Sequence, residues 1–348
     1  MFIGLTEEQE LLRETMRRLA DTTATSGPDD IASDDRLDTQ WQRLVEVGVP
    51  AFRAPATCGL EASGVETALA IEELGRRLSA LPVLGQAVLT TELLYAAGAE
   101  KEVDLIAEGA LRMAPVLRDD LSGFADSEDR GVVLDSAGAT HALLALSDGK
   151  RRRLVYAAID TASGREGLDL TRSISPISAS GLGATTSVGD PIDARRWDSV
   201  MAMALTAVAA DLIGVMTGAL EDAAGYAGER VQFGVKIGTF QAVQHILADS
   251  LVRLEGARSC LWHAAWAVDH LSPAEALLAA RTAKAYASAA GRDVVEAAMQ
   301  VLGGISITWE HVAHVRLRRT LLNRRLFGDE SDQYQAIADM RLNDPDLG

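Results

Sequence analysis

The segment from Ser272 to Gly304 marks both ends of a long helix in its own residues. Ser272-Pro273-Ala274-Glu275 is a capping box, in which the serine side chain and the third helical residue satisfy each other's orphan amides. Proline stands at the first helical position, where its missing N–H costs nothing. Gly303-Gly304 supplies the stop, because glycine adopts the left-handed conformation that ends helices. Two further helices are expected before it, over about 195–227 and 239–270. In the second of these Phe240, Val243, Leu247, Leu251 and Leu254 make an apolar stripe. A last helix is expected over about 311–326. The pattern predicts a C-terminal helical bundle spanning 195–348.

Upstream, two zones differ in character. Residues 1–115 read as helical. Thr6-Glu7-Glu8-Gln9 is another capping box, and Leu12, Met16 and Leu19 then share one helical face. Further helices are expected over about 38–47, 64–78 and 88–97, with a break around Ala54-Pro55-Ala56 and Gly59. Residues 116–194 change pattern. Asp and Gly punctuate short β-prone runs such as 131–134 and 153–156, and 179–191 is turn-rich. This zone predicts a small antiparallel β domain. The expected fold class is α+β, mostly α: helical domain, small middle β domain, four-helix bundle.

Composition bounds the function. With 348 residues and 48% hydrophobic content the chain can bury a large core. Its formal net charge of −17 argues against nucleic acid and against an anionic membrane surface as partners. Only four lysines are present, so arginine carries nearly all the positive charge. Cys58 and Cys260 lie far apart with no C-x-x-C spacing, so no metal or redox site is expected and a reducing cytoplasm fits. No apolar run is expected to reach the roughly 18 residues of a membrane span, and the N-terminus lacks a signal-peptide pattern.

The sharpest local feature is "RVQFGVKIGTFQAVQH", residues 230–245. Arg230 follows one helix and precedes another, with Gly234 and Gly238 permitting positive φ and close backbone approach. A helix start offers free N–H groups, so the stretch suits a pyrophosphate clamp. It equally suits a plain helix connection with a solvated arginine. A second stretch, "QVLGGISITWEHVAHVRLRR" at 300–319, places Gln300 one turn before the Gly-Gly break. Seventy residues separate Arg230 from Gln300, enough for two antiparallel helices. Such helices would bring the Gly-Gly break near Arg230 or near its copy in a neighbouring subunit.

Together the motifs R-x-x-F-G, F-Q and Q-x-x-G-G-x-x-x-T-x-E resemble the acyl-CoA dehydrogenase family. "LTEEQELLRETMRR" and "ALAIEELGRRLSALPVLGQAVL" resemble its first helical domain, and the resemblance is weakest over 116–194. It implies FAD bound at a subunit interface. The residues matching Arg230, Gln232, Phe233, Gln241, Gln300, Gly303 and Gly304 would meet the ADP part of a partner's FAD. Ser306 departs from the family, which usually has glycine there.

The resemblance also exposes a gap. α,β-Dehydrogenation of an acyl-CoA needs a carboxylate to take the α-proton while hydride passes to flavin. The family's two positions for it correspond to Ala204 and Phe327, and neither residue can accept a proton. Asp211 stands two turns beyond Ala204, about 10 Å along a helix, and Asp329 and Glu330 follow Gly328. The middle zone lacks the family's T-E-P-x-x-G-S-D-like run and has no tryptophan. The chain therefore resembles the shorter, base-lacking subunit of α2β2 steroid side-chain acyl-CoA dehydrogenases. The partner would be a second acyl-CoA dehydrogenase subunit, the substrate an acyl-CoA, and the acceptor an electron-transfer flavoprotein. Two other readings stand beside it: a self-sufficient homo-oligomer with Asp211 or Asp329 as base, and a non-enzymatic scaffold. Finally, Arg316, Arg318, Arg319, Arg324 and Arg325 form a basic cluster. It could meet CoA phosphates or an acidic partner. It could equally be a solvated helix face with local acid pairs.

Overall fold

The computed structural model describes residues 4–31, 34–54, 62–159, 167–178 and 182–344. The break expected at 55–59, including Cys58, falls outside them, as do residues 179–181 of the turn-rich stretch.

The first helices are α1 (Glu7–Thr22), α2 (Asp34–Val47), α3 (Gly64–Arg76), α4 (Thr90–Ala96) and α5 (Glu100–Ala107). The Thr6–Gln9 capping box forms as expected, and Ser63 with Glu66 makes a second one at the start of α3. The helix anticipated from Val88 starts earlier, as a π-helical turn over Val83–Leu89 that runs into α4. Every residue of that turn is buried.

The middle of the chain forms a six-stranded sheet: β1 (Met113–Leu117), β2 (Arg130–Leu134), β3 (His141–Asp148), β4 (Arg151–Ala158), β5 (Ile174–Ser178) and β6 (Thr186–Ile192). Its order is β5-β2-β1-β3-β4-β6. The expectation of a purely antiparallel unit is corrected, because β1 and β3 pair in parallel while the other neighbours are antiparallel. Much of the stretch expected to be turns is an edge strand, β6, whose mostly exposed residues mimic loop composition.

Four helices follow in the C-terminal part: α6 (Ala194–Glu229), α7 (Gln241–His270), α8 (Pro273–Leu302) and α9 (Ala313–Arg325). Ser272 and Glu275 form the capping box of α8, and Gly303 ends it with φ 68°. A fifth helix, α10 (Glu330–Asn343), was not anticipated. Asp329 caps it, and it packs on α8 with only Gln333 fully buried, so its apolar period is faint. The core helix is α6. Contrary to the expectation drawn from the sequence, it is long and apolar enough to cross a membrane by length and composition. Its place explains that composition, since 89% of the apolar stretch is buried inside the fold.

Gly214 and Gly218 let α6 and α3 approach closely. A Cβ on Gly214 would run into the Glu72 carbonyl, and one on Gly218 into the Arg76 carbonyl and the Arg316 guanidinium. Just N-terminal on α6, Asp211 centres a buried ionic cluster. Arg319 of α9 donates to it twice, Nη2 to Oδ1 at 2.7 Å and Nε to Oδ2 at 2.9 Å. Asn323 Nδ2 and Arg172 Nη2 also donate to Oδ2, at 2.6 and 2.8 Å. Arg172 Nη1 bridges onward to Asp135, 3.0 Å from each of its carboxylate oxygens, and the Gly85 amide donates to the same carboxylate. Arg319 also donates to the Ser79 carbonyl at 2.8 Å. The cluster thus touches the N-terminal helices, the sheet and the bundle at once.

Two outcomes follow for stability. Gly214→Ala should cost about 1–3 kcal/mol by overpacking the α3–α6 crossing, read as a lower urea midpoint with an unchanged slope. Asp211→Asn should cost more, about 3–5 kcal/mol, because it leaves two buried guanidinium groups short of counter-charge. An Asp211→Asn protein with wild-type unfolding would remove the cluster's assigned role.

Candidate functional site

Short connections make α6, α7 and α8 run alternately up and down, so the end of α6, the start of α7 and the end of α8 meet at one end of the bundle. Buried Ala227, Ala298 and Val301 hold them together there, with Ile237, Val243, Leu247 and Met299 packed against them. Arg230 caps α6 in extended conformation. The chain then makes a tight hairpin, β7 (Val231–Gln232) against β8 (Val235–Lys236). Its two turn residues, Phe233 and Gly234, have φ values of 54° and 80°. Two left-handed residues in succession match the twist of flanking strands, which is why such turns favour glycine. Gly238 lets the next turn lie against Ala227, as its expected close approach required.

This end therefore gathers Arg230, Gln232, Phe233, Gln241, Gln300, Gly303 and Gly304. Their side chains differ in state. Those of Arg230, Gln241 and Gln300 are exposed, and none makes a hydrogen bond or ion pair among the described residues. Gln232 turns back to its neighbour, donating to the Val231 carbonyl at 2.8 Å. Phe233 is 93% exposed and lies edge-on to Phe240, ring centroids 6.2 Å apart. Space is open above Gly303 and Gly304. The Ser306 departure does no harm to the turn, because Ser306 Oγ donates to the Gly303 carbonyl at 2.7 Å and closes it. α7 begins without a side-chain cap. One unspent guanidinium, two unspent amides and an uncapped helix start form a donor set that suits a pyrophosphate. Exposed Ile305, Ile307 and Trp309 border it, and sequence reading had singled out none of them. Their signal was available in retrospect: apolar side chains placed in a helix break, where no core awaits them.

The positions where the resemblance places a base lie elsewhere and are shut. Ala204 is fully buried in the first third of α6. Phe327 is 3% exposed, with φ 58°, in the turn after α9. Its ring meets Phe124 edge-on at 5.0 Å, and Phe124 in turn meets Trp197 at 5.5 Å. The three rings come from the loop after β1, the first turn of α6 and the turn after α9, so they fill the seam between sheet and bundle. The Phe327 amide donates to the Leu121 carbonyl at 2.8 Å across that seam.

The substitute bases fare no better. Burial alone would raise the Asp211 carboxyl, but Arg319 and Arg172 overcome it and hold the group below the usual carboxylate range. Its lone pairs are already spoken for by Arg319, Arg172 and Asn323. That geometry fits a structural anion and does not fit a proton acceptor. Asp329 caps α10 through the Ser331 and Asp332 amides and pairs with Arg325 at 3.1 Å. The backbone amides, more than offsetting burial, keep it low as well. The basic cluster divides. Arg324 and Arg325 pair with Glu330 and Asp329, as a face with local acid pairs would. Arg316 and Arg319 are instead buried against Asp222 and Asp211, so they are not solvated. Arg318 lies over the Trp309 ring at 6.0 Å.

Comparison with known proteins agrees with this layout. Residues 6–103 match the acyl-CoA dehydrogenase N-terminal domain and residues 198–341 the acyl-CoA dehydrogenase C-terminal domain. The chain is 31% identical over 340 residues to the acyl-CoA dehydrogenase IpdE2 of Mycolicibacterium smegmatis, covering 96% of this chain and 98% of that one. Among solved structures it superposes on the Tcur3481-Tcur3483 steroid ACAD G363A variant with a TM-score of 0.80 at 23% identity, covering 97% and 98% of the two chains. The ChsE4-ChsE5 complex from Mycobacterium tuberculosis gives 0.80 at 21% identity, with 99% of each chain covered. The chain belongs to the acyl-CoA dehydrogenase family, a family of FAD-dependent oxidoreductases.

Proposed function

We propose that this chain is the non-catalytic subunit of a heteromeric acyl-CoA dehydrogenase. In this reading it lends the ADP side of an FAD site to a partner that carries the base. The observation that carries the reading is the contrast between the two ends. The donor set of Arg230, Gln241 and Gln300 is unspent and faces outward, while both base positions hold buried side chains with no proton-accepting atom. Arg230 would hold the pyrophosphate by charge-assisted hydrogen bonds, Gln241 and Gln300 would orient it, and the open backbone at Gly303 and Gly304 would let it approach. Bound FAD supplies the hydride acceptor. The partner would supply the carboxylate, the pocket for the flavin ring and most contacts to the thioester. One structural neighbour is named a steroid ACAD, which supports a steroid-derived CoA ester as substrate, and the family chemistry favours an electron-transfer flavoprotein as acceptor.

A self-sufficient homo-oligomer would need Asp211 or Asp329 as base, and the ion pairs and helix cap that hold those groups weigh against it. A pure scaffold leaves the unspent donors without a use.

The decisive measurement is cofactor content with and without the partner. The lone chain should be colourless and inert toward an acyl-CoA and an electron acceptor. The complex should carry one FAD for each pair of unlike chains. If the lone chain is yellow and turns over, the reading is wrong. Within the complex, Arg230→Ala should weaken FAD binding about 10- to 100-fold, the scale of one hydrogen bond to a charged group. Equilibrium dialysis against FAD would measure it, and the assembled complex should persist on gel filtration.

A further inference from the structure

Lys284 of α8 is fully buried, one of the largest side chains in the fold with no exposure. It is also one of only four lysines in the chain. Its Nζ donates to the Gly328 carbonyl at 2.9 Å, the Arg324 carbonyl at 3.1 Å and Ser288 Oγ at 2.9 Å. Two of those acceptors flank the turn that carries Phe327. Gln333 Nε2 donates to the Phe327 carbonyl at 2.6 Å, and Arg281 Nη1 orients Gln333 by donating to its Oε1 at 2.9 Å. The turn needs such support. Phe327 is a bulky residue in left-handed conformation, and Gly328 follows with φ 90°, a combination that costs of order 1–3 kcal/mol and persists only where the surroundings impose it.

We infer that Lys284 is a positioning residue that pins the Leu326–Gly328 turn, so that the Phe327 ring stays in the seam and this chain's own cleft stays shut. The inference rests on the reading of the chain as a non-catalytic subunit, because only there does a closed cleft serve a purpose. The alternative occupant of position 284, an apolar side chain of similar length, would fill the space without the cost of burying an amine. It would remove the lysine's bond from the Arg324 carbonyl and, among the described residues, leave the Gly328 carbonyl with only the long 3.5 Å bond from Gln333 Nε2. Both protonation states of lysine can make the staple. The ammonium donates to all three oxygens, and the neutral amine donates to the two carbonyls and accepts from the Ser288 hydroxyl.

Burial lowers the Lys284 amine to about 7, against the opposing pull of Glu330, Asp329 and Asp332 and with help from Arg324. An unfolded lysine keeps its proton to about 10.4. Between those values the unfolded chain binds more protons, so stability rises with pH.

The test is hydrogen exchange on the whole chain carrying Lys284→Met. The Phe327 amide, bonded to Leu121 across the seam, should exchange at least tenfold faster, with amides in the middle of α7 unchanged. The wild type should gain stability from about pH 7 to 10, and the variant should lack that gain. If Lys284→Met does not fold, Ser288→Ala removes one contact and should give the same local acceleration at smaller size, about threefold. Unchanged Phe327 protection in a folded variant would overturn the inference. FAD content of the complex separates the two ideas, because Gln300 lies 16 residues, about 24 Å, further along α8. Loss of the staple with FAD retained supports both. A yellow, active lone chain removes the subunit reading and with it the closed cleft's purpose.

Discussion

The fold turns on one buried anion. Asp211 sits in the middle of the most enclosed helix, and its two oxygens take hydrogen bonds from Arg319, Arg172 and Asn323. Through Arg172 the charge reaches Asp135 and the Gly85 amide, and through Arg319 it reaches the Ser79 carbonyl. Each lobe of the molecule thus hands a polar group to the same point. Such a cluster adds little net stability, since removing ions from water costs several kcal/mol each. What it supplies is register. The glycine contacts at Gly214 and Gly218 set the α3–α6 crossing, and the ion pairs tie the sheet to that crossing.

With the lobes fixed, the two ends of the bundle take on different characters. At one end the chain leaves its polar groups unspent and its apolar ones uncovered: Arg230, Gln241 and Gln300 beside Phe233, Ile307 and Trp309. Away from it, in the seam between sheet and bundle, the rings are packed and the turn's carbonyls are paired, while Arg281 Nε beside them is buried without a partner among the described residues. Phe124, Trp197 and Phe327 interlock, and Lys284 and Gln333 satisfy the carbonyls of the turn.

What could be read from the sequence divides along the same physical line. Helix ends are local chemistry, so Thr6 with Gln9, Ser272 with Glu275, and Gly303 were legible within four residues of themselves. The motif residues Arg230, Gln241 and Gln300 stood out through the family resemblance, and topology gathers them at one end. Long-range pairings were not legible. Arg319 looked like one of five exposed arginines, because its partner is 108 residues away. The parallel pairing of β1 with β3 depends on contacts across a whole excursion of chain, which no run of residues announces. α10 escaped notice because it buries only Gln333 fully, so its sequence keeps no clear apolar period.

If position 327 is the family's base position, as the proposed reading has it, phenylalanine in place of a carboxylate there is a matter of solvation. A carboxylate in a dry seam is tolerable only where a substrate or a second polar group meets it; alone it would be driven neutral or would draw water in. A ring in the same place needs no partner beyond its neighbours and gains from edge-on packing with Phe124. Under the proposed subunit reading, loss of the base and closure of the seam are one event rather than two. In that reading apolar packing takes the space a carboxylate would need, and the chain's own contribution lies at the end that faces outward.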